Sequence, residues 1–333
     1  MTILQNPGRS GIRSAAIKTI ILVFAFIGLG LAATFGLAGC QGDLAENEKD
    51  LKPLNINDLR AQFDFRGRIV FESNMDGDSE IYLLTAEKLT KLTDNDWKDE
   101  YPRVSPDGRR IAFSAKPSGT FQIFTMNMDG TDVVQVTRSP HDAMEQAWSP
   151  DGKRIVYTEE APGRHFSMWT LDLETKKAEL LLPDFKSSNA LPDFSPVEPL
   201  MGFTGKRLMG WDVFLLDLST GRWRDLVKGG RSCRPRFSPD GRKIVYVSSE
   251  ADGKGDIWLM NPDGSDKTRL TERDDMYDYF PSWSPDGKYV VFCSSQVGRL
   301  DRCCWSLFLV KVATRRVFPL FQSGRRDLFP EWH

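Results

Sequence analysis

The residues able to do chemistry are few and scattered. The chain holds three histidines and five cysteines. His141 and His165 stand near Asp142, Glu145, Glu159 and Glu160, a set of nitrogen and oxygen donors. No two of them have the His-x-x-x-His spacing that brings a pair of imidazoles to one cation. Asn74-Met75-Asp76-Gly77-Asp78-Ser79-Glu80 has the acidic alternation of a calcium loop, yet its glycine is misplaced for an EF-hand, and a tight Asp-Gly turn accounts for it. There is no glycine-rich phosphate loop and no nucleophile elbow, so the chain calls for no cofactor, metal or catalytic residue. One thiol differs in its setting. Cys40 directly follows Thr19–Gly39, a run of 21 uncharged and mostly apolar residues, itself preceded by Arg9, Arg13 and Lys18. A thiol is the strongest ordinary nucleophile near neutral pH, and here it stands where a membrane would present an electrophile.

A basic start, an apolar centre and small residues before a cut describe a secretory signal. Leu37-Ala38-Gly39-Cys40 resembles the lipobox of bacterial lipoproteins at all four positions. The resemblance implies a signal peptide over residues 1–39, a diacylglycerol thioether on Cys40 and an exported, membrane-anchored protein. One acyl chain holds weakly and two or more hold stably. The alternative is an uncleaved transmembrane helix, for which 21 residues suffice. Gln41, rather than Asp, follows the cysteine. By resemblance to Gram-negative lipoproteins, that implies the periplasmic face of the outer membrane. Residues 40–65 are rich in charged and amide side chains and too short to build a core; they read as the lipidated cysteine and a flexible tether.

The rest of the chain repeats itself. Ser-Pro-Asp-Gly occurs at Ser105, Ser149, Ser238 and Ser284, with a degenerate copy at Ser195-Pro196-Val197-Glu198; successive serines are 44, 46, 43 and 46 residues apart. Proline presets φ, Asp tolerates the bridge region and Gly takes the positive φ that closes a hairpin. A period in the forties that carries several strand-like segments marks a β-propeller blade. Second strands follow each turn, as in Ile111-Ala112-Phe113 and Val290-Val291-Phe292, and Ile69-Val70-Phe71 opens the series without its turn. Third strands count six, from Glu80-Ile81-Tyr82 to Ser306-Leu307-Phe308. Phe329-Pro330-Glu331-Trp332 matches Phe280-Pro281-Ser282-Trp283 but has no unit of its own. It is therefore expected to supply the inner strand of blade one and close the ring. The expected fold is all-β: a six-bladed propeller of four-stranded antiparallel blades over residues 66–333.

These repeats resemble the TolB-type propeller family over essentially the whole chain after residue 65. TolB itself carries a folded α/β domain before its propeller, and residues 41–65 leave no room for one, so the resemblance is to the family. It implies capture of a cell-envelope partner at the propeller mouth.

In an up-and-down blade the Ser-Pro-Asp-Gly turns lie on one face and the links between blades on the other. The links differ in length and in charge, from −3 at Asp94–Glu100 and Glu272–Phe280 to +3 at Lys228–Arg234. Variable loops on a rigid scaffold are where binding concentrates. Trp97 and Asp99 on one acidic link, Tyr277, Asp278 and Tyr279 on another, and Arg325 and Arg326 between them form the expected partner-binding set. Tyr101 and Phe280, each before a proline, are expected to pack the links. Apolar and charged fractions of 40% and 27% are those of a soluble globular domain, and a formal charge of −2 gives no footprint for nucleic acid. Cys233, Cys293, Cys303 and Cys304 allow three pairings in an oxidising compartment; a bridge from Cys293 to Cys303 or Cys304 and buried free thiols both fit. The function expected is a non-catalytic scaffold for an envelope protein or peptide. The alternative is a carbohydrate-active propeller of the oligogalacturonate-lyase type, against which the scarcity of histidines and of clustered basic residues weighs.

Overall fold

A computed structural model describes residues 67–163, 165–296 and 305–333. The signal segment, Cys40, the tether, Cys303 and Cys304 lie outside the described residues. Six four-stranded antiparallel sheets follow one another around a ring. Blade one comprises β1 (Ile69–Ser73), β2 (Glu80–Leu84), β3 (Leu89–Lys91) and, as its inner strand, β24 (Asp327–Trp332). Blade two is β4 (Asp99–Val104), β5 (Arg110–Ala115), β6 (Gln122–Asn127) and β7 (Val134–Gln135). Blade three is β8 (Asp142–Trp148), β9 (Arg154–Ala161), β10 (His165–Asp172) and β11 (Ala178–Leu180). Blade four is β12 (Asn189–Phe194), β13 (Leu200–Arg207), β14 (Gly210–Asp217) and β15 (Trp223–Val227). Blade five is β16 (Ser232–Phe237), β17 (Ile244–Ser248), β18 (Asp256–Met260) and β19 (Thr268–Arg269). Blade six is β20 (Met276–Trp283), β21 (Tyr289–Gln296), β22 (Ser306–Lys311) and β23 (Arg316–Phe321).

The Ser-Pro-Asp-Gly turn is a closed hydrogen-bond device. Ser105 Oγ donates to Asp107 Oδ1 at 2.6 Å and accepts the Arg110 N–H at 2.9 Å, while the Gly108 N–H donates to the Ser105 carbonyl at 2.8 Å. Gly108 sits at φ +68°, where a Cβ would be strained. The same bonds recur at Ser149, Ser238 and Ser284. In the degenerate copy Ser195 Oγ still accepts the Glu198 N–H at 3.2 Å, and the hairpin closes through Ser195 N–H to the Leu200 carbonyl at 2.9 Å. The serine is thus the part of the motif the hairpin cannot lose.

Alternate residues of the central strands point into the layers between blades. Val245, Val247 and Ile257 of blade five pack with Trp283, Val290, Phe292 and Phe308 of blade six, all buried. Each such side chain contributes about 1.5–3 kcal/mol on burial. Ring closure by the C-terminal strand is as expected: Ile69 pairs with Trp332, and Arg68 and His333 exchange backbone bonds of 2.6 and 2.8 Å. Cys293 is buried and free, and Cys233 is half-buried and free.

Candidate partner face and axial stopper

Each inner strand starts at the link face and runs to the Ser-Pro-Asp-Gly face, and each bulges midway. Tyr101, Glu145, Leu191, Arg234, Phe280 and Phe329 occupy the same position in the six inner strands, all with φ between +51° and +59°. Five of the six precede a proline, which disfavours the right-handed helical region for them. A left-handed conformation costs a residue with a side chain about 1–2 kcal/mol, so six in register mark a designed constriction. The six surround a cavity of ≈ 60 Å³ on the ring axis.

Aromatic rings fill this constriction. Phe329 lies 4.2 Å from Tyr101 and 4.3 Å from Phe280, centroid to centroid. The Arg234 guanidinium covers Phe280 at 4.3 Å and reaches Glu145 at 3.8 Å. Burial pushes the Glu145 carboxyl up to about 7, with Arg234 opposing the rise. Two residues further along the inner strands stand Arg103, Asp193, Arg236 and Glu331. Asp193 Oδ1 accepts from Arg103 at 2.6 Å and from Arg236 at 3.0 Å, and Glu331 accepts from Arg236 and lies 3.7 Å from Arg103. The four alternate in sign and close into a ring. Burial alone would raise Glu331, but Arg103 and Arg236 outweigh it and hold the carboxyl below its ordinary value. Aromatic layer and ionic ring together stopper the axis.

The expected partner-binding residues separate into two groups. Trp97 is 41% exposed on the link before β4, Tyr277 is half-buried on β20, and Arg325 is exposed before β24. The others turn inward. Asp99, the first residue of β4, is fully buried, accepts from Asn95 Nδ2 at 2.7 Å and has its carboxyl raised by burial. Asp278 is buried, pairs with Arg273 and accepts from Ser294 Oγ at 2.7 Å. Tyr279 lies against Trp305 and over Gly255, where a Cβ would meet the Tyr279 ring at 2.3 Å. Arg326 bonds Glu72 at 2.7 Å and Ser79 Oγ at 2.8 Å and lies 3.6 Å from Glu100. Burial, and then Glu100, raise the Glu72 carboxyl against the pull of Arg326. The inner strands begin earlier than the links suggested, at Asp99 and Met276, because their pairing with β5 and β21 continues past the bulge to Asp99↔Ala115 and Met276↔Gln296.

His141 is half-buried on the link before β8, and His165 is exposed at the start of β10. Among the described residues no group of three or more His, Cys, Asp or Glu could hold a metal ion. Asn74 and Gly77 close the β1–β2 turn, with Gly77 N–H donating to the Asn74 carbonyl at 3.3 Å. The axial stopper was not expected as such. Its trace in the sequence is a large side chain, before proline in five of the six blades, at one register of the inner strand.

Comparison with known proteins agrees with this architecture. The dipeptidyl-peptidase 5 of Porphyromonas endodontalis is 28% identical over 247 residues, covering 66% of this chain and 33% of that protein. The TolB homolog of Chlorobium luteolum is 34% identical over 217 residues, covering 61% of this chain and 47% of that protein. The chain thus spans between a third and a half of the length of these two curated relatives. Among solved structures, TolB from Acinetobacter baumannii superposes with a TM-score of 0.70 at 20% identity, covering 81% of this chain and 67% of that one, a likeness of fold. The family model described as the TolB beta propeller domain matches residues 65–207 and 191–301, most of the propeller. The chain belongs to the TolB beta propeller domain family.

Proposed function

We propose that the protein is a membrane-anchored lipoprotein of the cell envelope, lipidated at Cys40, whose propeller is a non-catalytic scaffold that captures another envelope protein or peptide on its link face. The axial stopper carries this proposal. Pockets for small substrates run to about 300–1,000 Å³; the cavity enclosed by the six bulge residues is ≈ 60 Å³, and the ≈ 500 Å³ mouth beyond it on the Ser-Pro-Asp-Gly face is lined by Arg103, Asp193, Arg236 and Glu331, which are paired with one another. A rigid ring with a blocked axis offers surfaces. The link face offers the variable ones, with exposed Trp97 and half-buried Tyr277 beside acidic residues and exposed Arg325. Membership of the TolB propeller family supports a binding scaffold in general. The periplasmic face of the outer membrane is the location we propose, on the strength of Cys40 and Gln41.

The test is a photo-crosslinking amino acid at position 97 in the full chain, with crosslinked proteins identified by mass spectrometry. A discrete envelope protein, captured from position 97 and not from position 197 on the opposite face, is the expected result. Capture from position 197 alone would move the partner to the Ser-Pro-Asp-Gly face and overturn the proposal.

A further inference from the structure

The largest unexplained apolar exposure lies at the tip of the β13–β14 hairpin. Arg207 pairs with Gly210 across the turn, leaving Leu208 and Met209 as its two-residue tip. Leu208 is 100% exposed and Met209 77%, the highest values among the exposed large hydrophobic residues. The hairpin joins the second and third strands of blade four, so the tip projects from the link face.

Its base is stiff. Arg207 bonds Asp225 at 2.6 Å and its guanidinium lies 4.8 Å from the Phe214 ring centre. The next link lies directly against the tip: a Cβ on Gly230 would meet the Met209 carbonyl at 2.5 Å, and the Gly230 N–H donates to Asp212 Oδ1 at 2.6 Å. The preceding link is tied in through Lys206 N–H to the Ser188 carbonyl at 2.8 Å. Around the tip stand five exposed basic residues, Lys186, Lys206, Arg207, Lys228 and Arg231, against Asp184, Asp212 and Asp225. Their net charge is therefore +2, in a chain whose formal charge is −2.

We infer that this hairpin tip docks on an anionic lipid bilayer, with Leu208 and Met209 below the phosphates and the basic collar among them. Among the described residues the apolar pair held out on this hairpin is left exposed, and apolar tips ringed by basic residues suit the boundary between headgroups and acyl chains. Anionic lipid attracts each nearby Lys or Arg within a Debye length. A two-residue tip is too small to anchor a protein by itself. It orients one, fixing which part of the link face stands close to the membrane.

The full chain is reconstituted into vesicles of phosphatidylcholine alone or mixed with phosphatidylglycerol, and hydroxyl-radical oxidation of Met209 is followed by mass spectrometry. Met128, half-buried in the β6–β7 turn on the opposite face, is the internal reference. Met209 oxidation should slow several-fold in phosphatidylglycerol vesicles and not in phosphatidylcholine alone. Lys206→Glu with Lys228→Glu should restore the rate without changing the melting temperature. Equal rates in both vesicles would overturn the inference, as would protection indifferent to lipid charge. Protection that grows with protein concentration in the absence of vesicles would assign the tip to a second copy of the chain instead.

Discussion

The Arg234 guanidinium carbon lies 4.3 Å from the centre of the Phe280 ring, and one of its nitrogens lies 3.8 Å from Glu145 Oε1. Blades three, five and six therefore meet through one side chain on the axis. The contact joins a cation to a π face and to a carboxylate that burial has pushed up to about 7.

A pH dependence follows. A carboxyl whose folded value lies above its unfolded one stabilises fully below the unfolded value, and that contribution is lost as pH rises through the folded value. For Glu145 the loss runs upward from its ordinary value of 4.5 and is complete above about 7. Asp256 and Asp327, both raised by burial to about 6, add to it in the lower part of the window. Stability should rise between about pH 8 and about pH 5.5, Glu145 contributing on the order of 2 kcal/mol. Thermal melts across that range check it, and Glu145→Gln should flatten the upper limb. A melting temperature that falls steadily on acidification would contradict the assignment.

The ionic ring predicts a second stability effect. Arg236→Ala leaves Asp193 and Glu331, both largely buried, sharing Arg103 alone. Removing one partner of a buried pair costs roughly 3–5 kcal/mol. Adding Glu331→Ala should then cost much less than the two single changes summed, since the orphaned carboxylate goes with it. Urea denaturation of the two singles and the double measures the coupling; strict additivity would mean that the four groups do not act together.

Much of this fold was legible because the Ser-Pro-Asp-Gly turn is local. Ser105, Pro106, Asp107 and Gly108 satisfy one another within a few residues, so the turn can be read without knowing what surrounds it. Blade count and ring closure follow from counting such turns, and β24 pairs with β1 as Phe329–Trp332 suggested. The axial stopper is different in kind. Tyr101, Arg234 and Phe329 come from three different blades, and only the closed ring brings them together. Asp99 and Asp278 look like surface acids in an acidic link, yet each lies in the first half of an inner strand and is buried, Asp278 against Ser294 of the neighbouring strand. Polarity in a link therefore foretold exposure for Trp97 and Arg325 and burial for neither aspartate.

Ring closure can be tested at Trp332, which is 8% exposed and stacks on Tyr289 of blade six at 6.4 Å. Trp332→Ala should cost roughly 3–5 kcal/mol. Removing 329–333 should lower the melting temperature of the whole propeller, because β1 loses its inner partner and a strand edge opens between blades one and six. A truncated chain that melts like the parent would remove the basis for closure.

Cys40→Ser tests the anchor. The variant should take up no lipid label and accumulate as a larger, uncleaved precursor, read by gel mobility and by mass spectrometry of the N-terminus. Continued labelling would exclude Cys40 as the acceptor, and with it the proposed attachment.

The last prediction separates the partner surface from the scaffold that holds it. Trp97 is 41% exposed, and its backbone N–H is tied to Asn95 Oδ1 at 3.0 Å, so the link is held while the indole faces solvent. Tyr277 is half-buried on β20, opposite Ser295 of β21. Asp99 and Asp278 stand close by in sequence but carry internal bonds to Asn95 and to Arg273 and Ser294. Trp97→Ala with Tyr277→Ala should leave the melting temperature nearly unchanged and weaken partner capture, each aromatic contributing on the order of 2 kcal/mol, as central aromatic residues of interfaces do. Asp278→Ala should do the reverse, lowering stability because Arg273 loses its buried carboxylate, with capture by the remaining folded protein little altered. Melting curves and quantitative pull-down of the crosslinked partner distinguish the two. If the aromatic double variant unfolds, these side chains belong to the packing. If it folds and captures normally, the partner lies elsewhere, and the basic link at Lys228–Arg234 becomes the next surface to alter.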